Sequence, residues 1–287
     1  MKKKNLFLSV TLLIVFTLAC SLFNPDLLGE KEEAPTEIVA ESAPAEQPPS
    51  TQHDGVCNNI LYPLAIGQQM VYKSTGPEGE TQMGITVSNV EGNFATIDML
   101  NISTGIVTQS TAECEAGTIK NFPAVTMGTV LGDMLNGGLM MEYVSGYIAP
   151  TEETLVNTNW NLAWTSEYIM NGEITMEEEG ETMTITIDNS PMLMNWQTLS
   201  TGQSVTVPAG TYTNAIKVTR DMTMDVKLDM GVMQLDSVLT LKSTHWFEPY
   251  IGMVKMNVEE VSVQMQGMTF PVTISETMEL IEFRPAE

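Results

Sequence analysis

Cations are scarce in this chain. Lys and Arg number 12 against 36 Asp and Glu, giving a net charge of −24 over 287 residues. That balance argues against nucleic acid as a partner, because neutralising phosphates takes clustered Lys and Arg. It argues equally against broad electrostatic docking on anionic lipid. Histidine is scarcer still, with His53 and His245 alone. Nucleophilic catalysis at Ser, Thr or Cys usually leans on an adjacent imidazole. Neither a Gly-x-Ser-x-Gly elbow nor a His-Glu-x-x-His helix occurs. Nothing marks one carboxylate pair among the acids for glycoside chemistry. The expectation is a non-enzyme with no catalytic residues and no cofactor. A metal site is not expected either. Asp221, Asp225 and Asp229 recur every four residues, which on a strand sets neighbours roughly 13 Å apart, too far for one calcium ion. The acidic run Glu177-Glu178-Glu179-Gly180-Glu181 lacks the pattern of a calcium loop. Long amphipathic helical periodicity is also missing, so helix is a minor component.

The N-terminus is what is present instead. Lys2, Lys3 and Lys4 precede an apolar run at residues 6–18, then Ala19-Cys20. This is a secretory signal, residues 1–19, removed in the mature protein. The apolar run is short of the roughly 20 residues a membrane-spanning helix needs. Thr17-Leu18-Ala19-Cys20 resembles the lipobox of bacterial lipoproteins, with Thr17 in place of the commoner Leu. That resemblance implies that Cys20 carries a diacylglyceryl group and becomes the mature N-terminus. An ordinary signal peptide with an incidental Cys is the alternative. Lipobox chemistry supplies two or three acyl chains, where one alone anchors marginally. The domain then lies outside the cytoplasm, held to the cell membrane, or to the outer membrane of a diderm. Removing residues 1–19 takes away three Lys and no acid, moving the charge from −24 to −27. Residues 20–56 read as a disordered tether rich in Pro, Ala and Glu, broken by Pro35, Pro44, Pro48 and Pro49. His53 sits at its end as a solvated side chain. With Cys20 lipidated, Cys57 and Cys114 are the remaining pair, in a compartment where disulfides persist. Two free thiols are the alternative.

Residues 57–287 read as a β-rich domain. Met83, Ile85 and Val87 alternate with polar residues, Glu91-Gly92-Asn93 is a turn, and strands follow over residues 94–102 and 106–115. Residues 121–150 form a connecting segment with a short helix near residues 130–136. A second unit starts near Thr154, so residues 57–150 and 151–287 are candidate subunits, with a hairpin tipped by Glu177 to Glu181. The clearest alternation is at residues 221–230. Asp221, Thr223, Asp225, Lys227 and Asp229 share one face, and Met222, Met224, Val226, Leu228 and Met230 the other. The expected fold is mainly β: antiparallel curled sheet built from hairpins, forming one or two half-barrels, with little helix.

Two segments carry a family resemblance. Val207-Pro208-Ala209-Gly210-Thr211-Tyr212, followed by Lys217-Val218, resembles a Val-Pro-Ala-Gly-Thr-aromatic segment of uncharacterised β-rich bacterial lipoproteins. His245-Trp246-Phe247-Glu248-Pro249-Tyr250-Ile251-Gly252-Met253-Val254-Lys255 is similar to a second segment of theirs, with Glu248 and Tyr250 replacing the usual small residues. Tyr62-Pro63 with Gly67, and Cys114 with Gly117, match two further motifs. The resemblance implies secretion, lipidation and a curled antiparallel sheet, and no established catalytic residues.

The 22 Met residues invite a Cu(I) reading, because thioethers are soft ligands. Their alternation with polar residues fits core filler better. A half-barrel with an adaptable Met face also suits a flexible apolar ligand. Met222, Met224, Met230 and Trp246 are the residues singled out for that role. The expected partners are the membrane, through the anchor, and either a hydrophobic ligand or another envelope protein.

Overall fold

The computed structural model describes residues 55–76, 79–122, 140–178, 181–229, 234–272 and 275–286, with backbone alone for 173–178, 181–186, 227–229, 234–235 and 272. The lipidation candidate Cys20, the tether as far as residue 54, the helix expected near residues 130–136, Glu179 and Gly180 of the acidic hairpin, and Met230 lie outside the described residues.

Period-two alternation builds nearly all of the domain. A meander comes first: β1 (Gln69–Gly76), β2 (Gly79–Glu91), β3 (Phe94–Asn101), β4 (Val107–Glu115) and β5 (Thr118–Asn121). β6 (Met140–Gly146) and one short helix, α1 (Glu152–Asn157), follow. Thr151 caps α1, its hydroxyl accepting from Thr154 N at 3.1 Å, with Glu152 and Glu153 in the first turn. Long strands complete the fold: β7 (Ala163–Glu178), β8 (Glu181–Val207), β9 (Gly210–Asp229), β10 (Gln234–Glu248), β11 (Gly252–Met265), β12 (Met268–Val272) and β13 (Thr277–Arg284).

All thirteen strands join one antiparallel sheet in the order β5-β4-β3-β2-β1-β13-β11-β10-β9-β8-β7-β6, with β12 pairing β11. One non-local pairing, β1 with β13 from Gln69 and Arg284 to Thr75 and Thr277, joins the first meander to the long hairpins. The two ends of the sheet then meet. Ile119 N donates to Ala149 O at 3.0 Å, and Ala149 N to Ile119 O at 3.2 Å, so the sheet nearly closes into a barrel. Closure leaves few exposed strand edges.

The inner face carries the bulk. Trp196, Arg220, Tyr168, Tyr212, Phe122 and Phe247 are among the largest fully buried side chains. On β9, Ile216, Val218, Met222 and Met224 are buried, whereas Asp221 and Asp225 are exposed, as the alternation dictates. The outer face carries ion pairs between strands, Lys242 with Glu260 and Lys255 with Glu279, both at 2.8 Å. Transmembrane barrels distribute their side chains the other way, with an apolar band outside. Pro208 and Ala209 form the two-residue turn between Val207 and Gly210, where the missing proline N–H costs no ladder bond.

Candidate functional site

The barrel is plugged by its own N-terminal segment. Cys57, Asn59, Ile60, Leu61, Tyr62 and Leu64 are all buried. Their backbone needs partners there, because an unsatisfied buried amide costs as much as a lost hydrogen bond. Asn59 supplies four: its Nδ2 donates to Gly117 O at 2.7 Å and Pro150 O at 2.8 Å, and its Oδ1 accepts from Leu61 N and Tyr62 N. Tyr250 N donates to Ile60 O, and a disulfide ties Cys57 to Cys114 on β4. The segment around Tyr250 is thus part of the seat for the plug. Gly252 lies in the left-handed region at φ 110°, where a Cβ would stand 3.6 Å from Met70 Sδ and 3.7 Å from Pro63 Cδ.

Between plug and wall lies an apolar cavity of about 40 Å³. Met70 and Tyr72 (β1), Met83 and Ile85 (β2), Met253 and Met256 (β11) and Met278 (β13) form its walls, Tyr62, Pro63 and Leu64 its plug side. Tyr72 Oη donates to Met253 O at 2.8 Å and also lies 3.3 Å from Met70 Sδ. Two polar residues on the lining, Tyr62 and His245, have an atom with no hydrogen-bond partner among the described residues: Tyr62 Oη and His245 Nδ1. An apolar cavity of about 150 Å³ holds benzene, so this one takes a few heavy atoms and no acyl chain unless the plug moves.

Behind the cavity is a buried polar cluster. Arg220 Nε donates to Ser243 Oγ at 3.2 Å, and Ser243 Oγ lies 2.9 Å from His245 Nε2. The guanidinium stacks over Trp196, 5.4 Å from the ring centroid, and Trp196 Nε1 donates to Ser166 Oγ at 3.3 Å. Burial lowers the Arg220 pKa to about 10, so the group stays charged at neutral pH. Burial, with Arg220 beside it, holds His245 well below its usual value. Burial raises Tyr62, partly offset by Arg220. Ser243 and His245 have the spacing of a nucleophile and its base. Two features oppose that use. The neighbouring guanidinium disfavours the imidazolium a base must become, and His245 Nδ1 has no orienting acceptor among the described residues.

Met222 and Met224 are buried on β9, opposite Leu241 and Leu239 of β10. They pack beside Met194 and Met192 of β8 and do not line the cavity. Trp246 is on the outer face, opposite Lys217, whose Nζ sits 5.4 Å above its ring. Met222, Met224 and Trp246 therefore do not share one chamber. The five methionines that line the cavity come from β1 and β2 at one end of the domain sequence and from β11 and β13 at the other. Arg220 had a readable signal. It stands at the inward parity of β9, between Val218 and Met222, where a charge is out of place.

Among the described residues there is no group of three or more His, Cys, Asp or Glu able to hold a metal, and no helix long and apolar enough to cross a membrane. No family model matches the chain, and no curated protein matches it. Among solved structures it is similar to a Parabacteroides distasonis protein provisionally described as a lipoprotein, at 16% identity and a TM-score of 0.48, over 79% of this chain and 99% of that one. It is also similar to a Bacteroides fragilis protein provisionally described as exported with a YmcC-like fold, at 14% identity and a TM-score of 0.47, over 79% of this chain and all of that one. Likeness at this level carries no statement about activity.

Proposed function

We propose that this chain is a lipid-anchored extracytoplasmic protein whose barrel domain is a non-catalytic interaction module. The lipobox-like Thr17-Leu18-Ala19-Cys20 behind a signal segment supports the anchor, and a Cys57–Cys114 disulfide suits an oxidising compartment. One observation carries the interaction reading. Leu100, Ile102, Ile106 and Val107 cluster on the β3–β4 hairpin and are 38% to 60% exposed, while the plug and the inward side chains occupy most of the barrel interior. Contiguous exposed apolar side chains of this kind mark contact surfaces. A photo-reactive residue at Ile106 in the full chain should give a discrete adduct with an envelope protein, and adding Val107→Lys in the same hairpin should weaken it. Absence of any adduct at that position overturns the reading. For the anchor, palmitate should label the parent and not Cys20→Ser; equal labelling removes it.

The Met-lined cavity favours a second reading, a small apolar ligand seated among Met70, Met83, Met253, Met256 and Met278 with Tyr62 or His245 as its hydrogen-bonding contact. Mass spectrometry of the purified full chain should then find a retained small apolar compound, lost on Met256→Trp. A clean spectrum in both proteins eliminates that ligand.

A further inference from the structure

The β8–β9 ladder stops early. It runs from Val207 and Gly210 to Met192 and Met224, yet both strands continue beyond. β8 reaches back to Glu181, paired on its other side with β7. β9 runs on to Asp229, paired on its other side with β10. Among the described residues, the facing edges of 181–191 and 225–229 have no ladder partner across the gap. The local cause is a bulge. Register shifts between Met170 and Gly172, so Asp188 and Asn189 have no β7 partner. Asn189 takes φ 49°, Gly172 takes φ 141°, and Asn171 Oδ1 accepts from Asn189 N at 2.7 Å. A bulge bends and twists the strand that carries it, which swings the β7–β8 arm away from β9–β10.

The fork opens a groove of about 450 Å³, with Asp188 to Pro191 on one wall and Asp225, Asp236, Ser237 and Gln264 among the residues of the other. Three carboxylates line it, and no Lys or Arg is on the lining among the residues whose side chains are described. Ser237 is 5% exposed, and its Oγ has no hydrogen-bond partner among the described residues. We infer that this fork is a docking slot for an extended peptide bearing Lys or Arg, which enters as an added strand between β8 and β9. Unpaired strand edges accept a peptide through main-chain hydrogen bonds, and the acidic walls select the cationic one. The acidic tether, with Glu30, Glu32 and Glu33, has the wrong charge to fill it. The slot is separate from the Leu100–Val107 contact surface and does not depend on it.

The test uses the full chain in detergent and a fluorescein-labelled peptide of about ten residues, alternating Val and Lys. Anisotropy should show saturable binding. Combining Asp188→Asn, Asp225→Asn and Asp236→Asn should weaken it roughly tenfold, three surface charge contacts' worth. An equally charged peptide with Pro in place of each Val, which cannot donate to a ladder, should bind at least about tenfold more weakly. Hydrogen exchange should slow at residues 187–190 and 225–229 on peptide addition. Equal affinity for the Pro peptide, indifference to the triple variant, or protection confined to other strands would each overturn the slot. An adduct at Ile106 with no peptide binding keeps the interaction module and removes the slot; the reverse outcome keeps the slot alone.

Discussion

His245 and Asn59 show how single side chains set the properties of the interior. Burial and Arg220 hold the His245 pKa well below 6.5. In the unfolded chain it titrates near 6.5. The folded value is the lower one, so the stability tied to neutral His245 is complete above about pH 6.5 and drains away as pH falls below it. The urea-unfolding free energy of the parent should fall about 1.4 kcal/mol per pH unit more steeply than that of His245→Phe between roughly pH 6 and pH 5. Parallel profiles would show that the imidazole takes up its proton in the folded state. Asn59 satisfies one buried and one half-buried carbonyl and two buried N–H groups. Asn59→Ala strands all four, and should cost about 3 kcal/mol by urea denaturation. A loss under about 0.5 kcal/mol would mean that the plug finds other partners.

At the scale of elements, the plug and the sheet ends carry the sharpest tests. The disulfide closes a loop with a sequence separation of 57. Chain-entropy arguments assign such a loop about 4 kcal/mol. Replacing Cys57 and Cys114 by Ser should lower the urea midpoint by the equivalent amount, and should speed proteolysis of the plug. An unchanged midpoint would place the holding force in Asn59 and apolar burial instead. Gly146 ends β6 at φ 83°, where a Cβ would fall 2.1 Å from Thr165 O. Nothing but glycine fits there without moving backbone. Gly146→Ala should cost about 3 kcal/mol and roughly 10 °C of melting temperature, read by circular dichroism. The β7–β8 bulge acts at the same scale: one extra residue on β8, Asp188 and Asn189 standing against Asn171, bends the arm away from β9.

Across the whole molecule, the alternation read over residues 221–230 did foretell the wet and dry faces where side chains are described, residues 221–226. Met222 and Met224 are buried and Asp221 and Asp225 exposed. The turn at Gly92 was equally legible, because positive φ is a local demand. Barrel closure was not, because it rests on pairings between residues far apart in the chain, Gln69 with Arg284 and Ile119 with Ala149. A period of two names the face of a strand and is silent about its neighbour. The grouping of Met and Trp residues shows it. Met222 and Trp246 are near in sequence and sit on opposite faces of the sheet, whereas Met70 and Met278 are far apart in sequence and share a cavity.

The sequence by itself determined an acidic chain with a mainly β domain and the inward face of its long strands, because charge and side-chain alternation are local quantities. Tertiary structure alone decided which strands meet, that residues 57–64 fill the barrel, that Arg220 and His245 lie side by side, and that β8 parts from β9. Each of those depends on register and on bulges, where a shift of one residue changes the partner without changing the pattern.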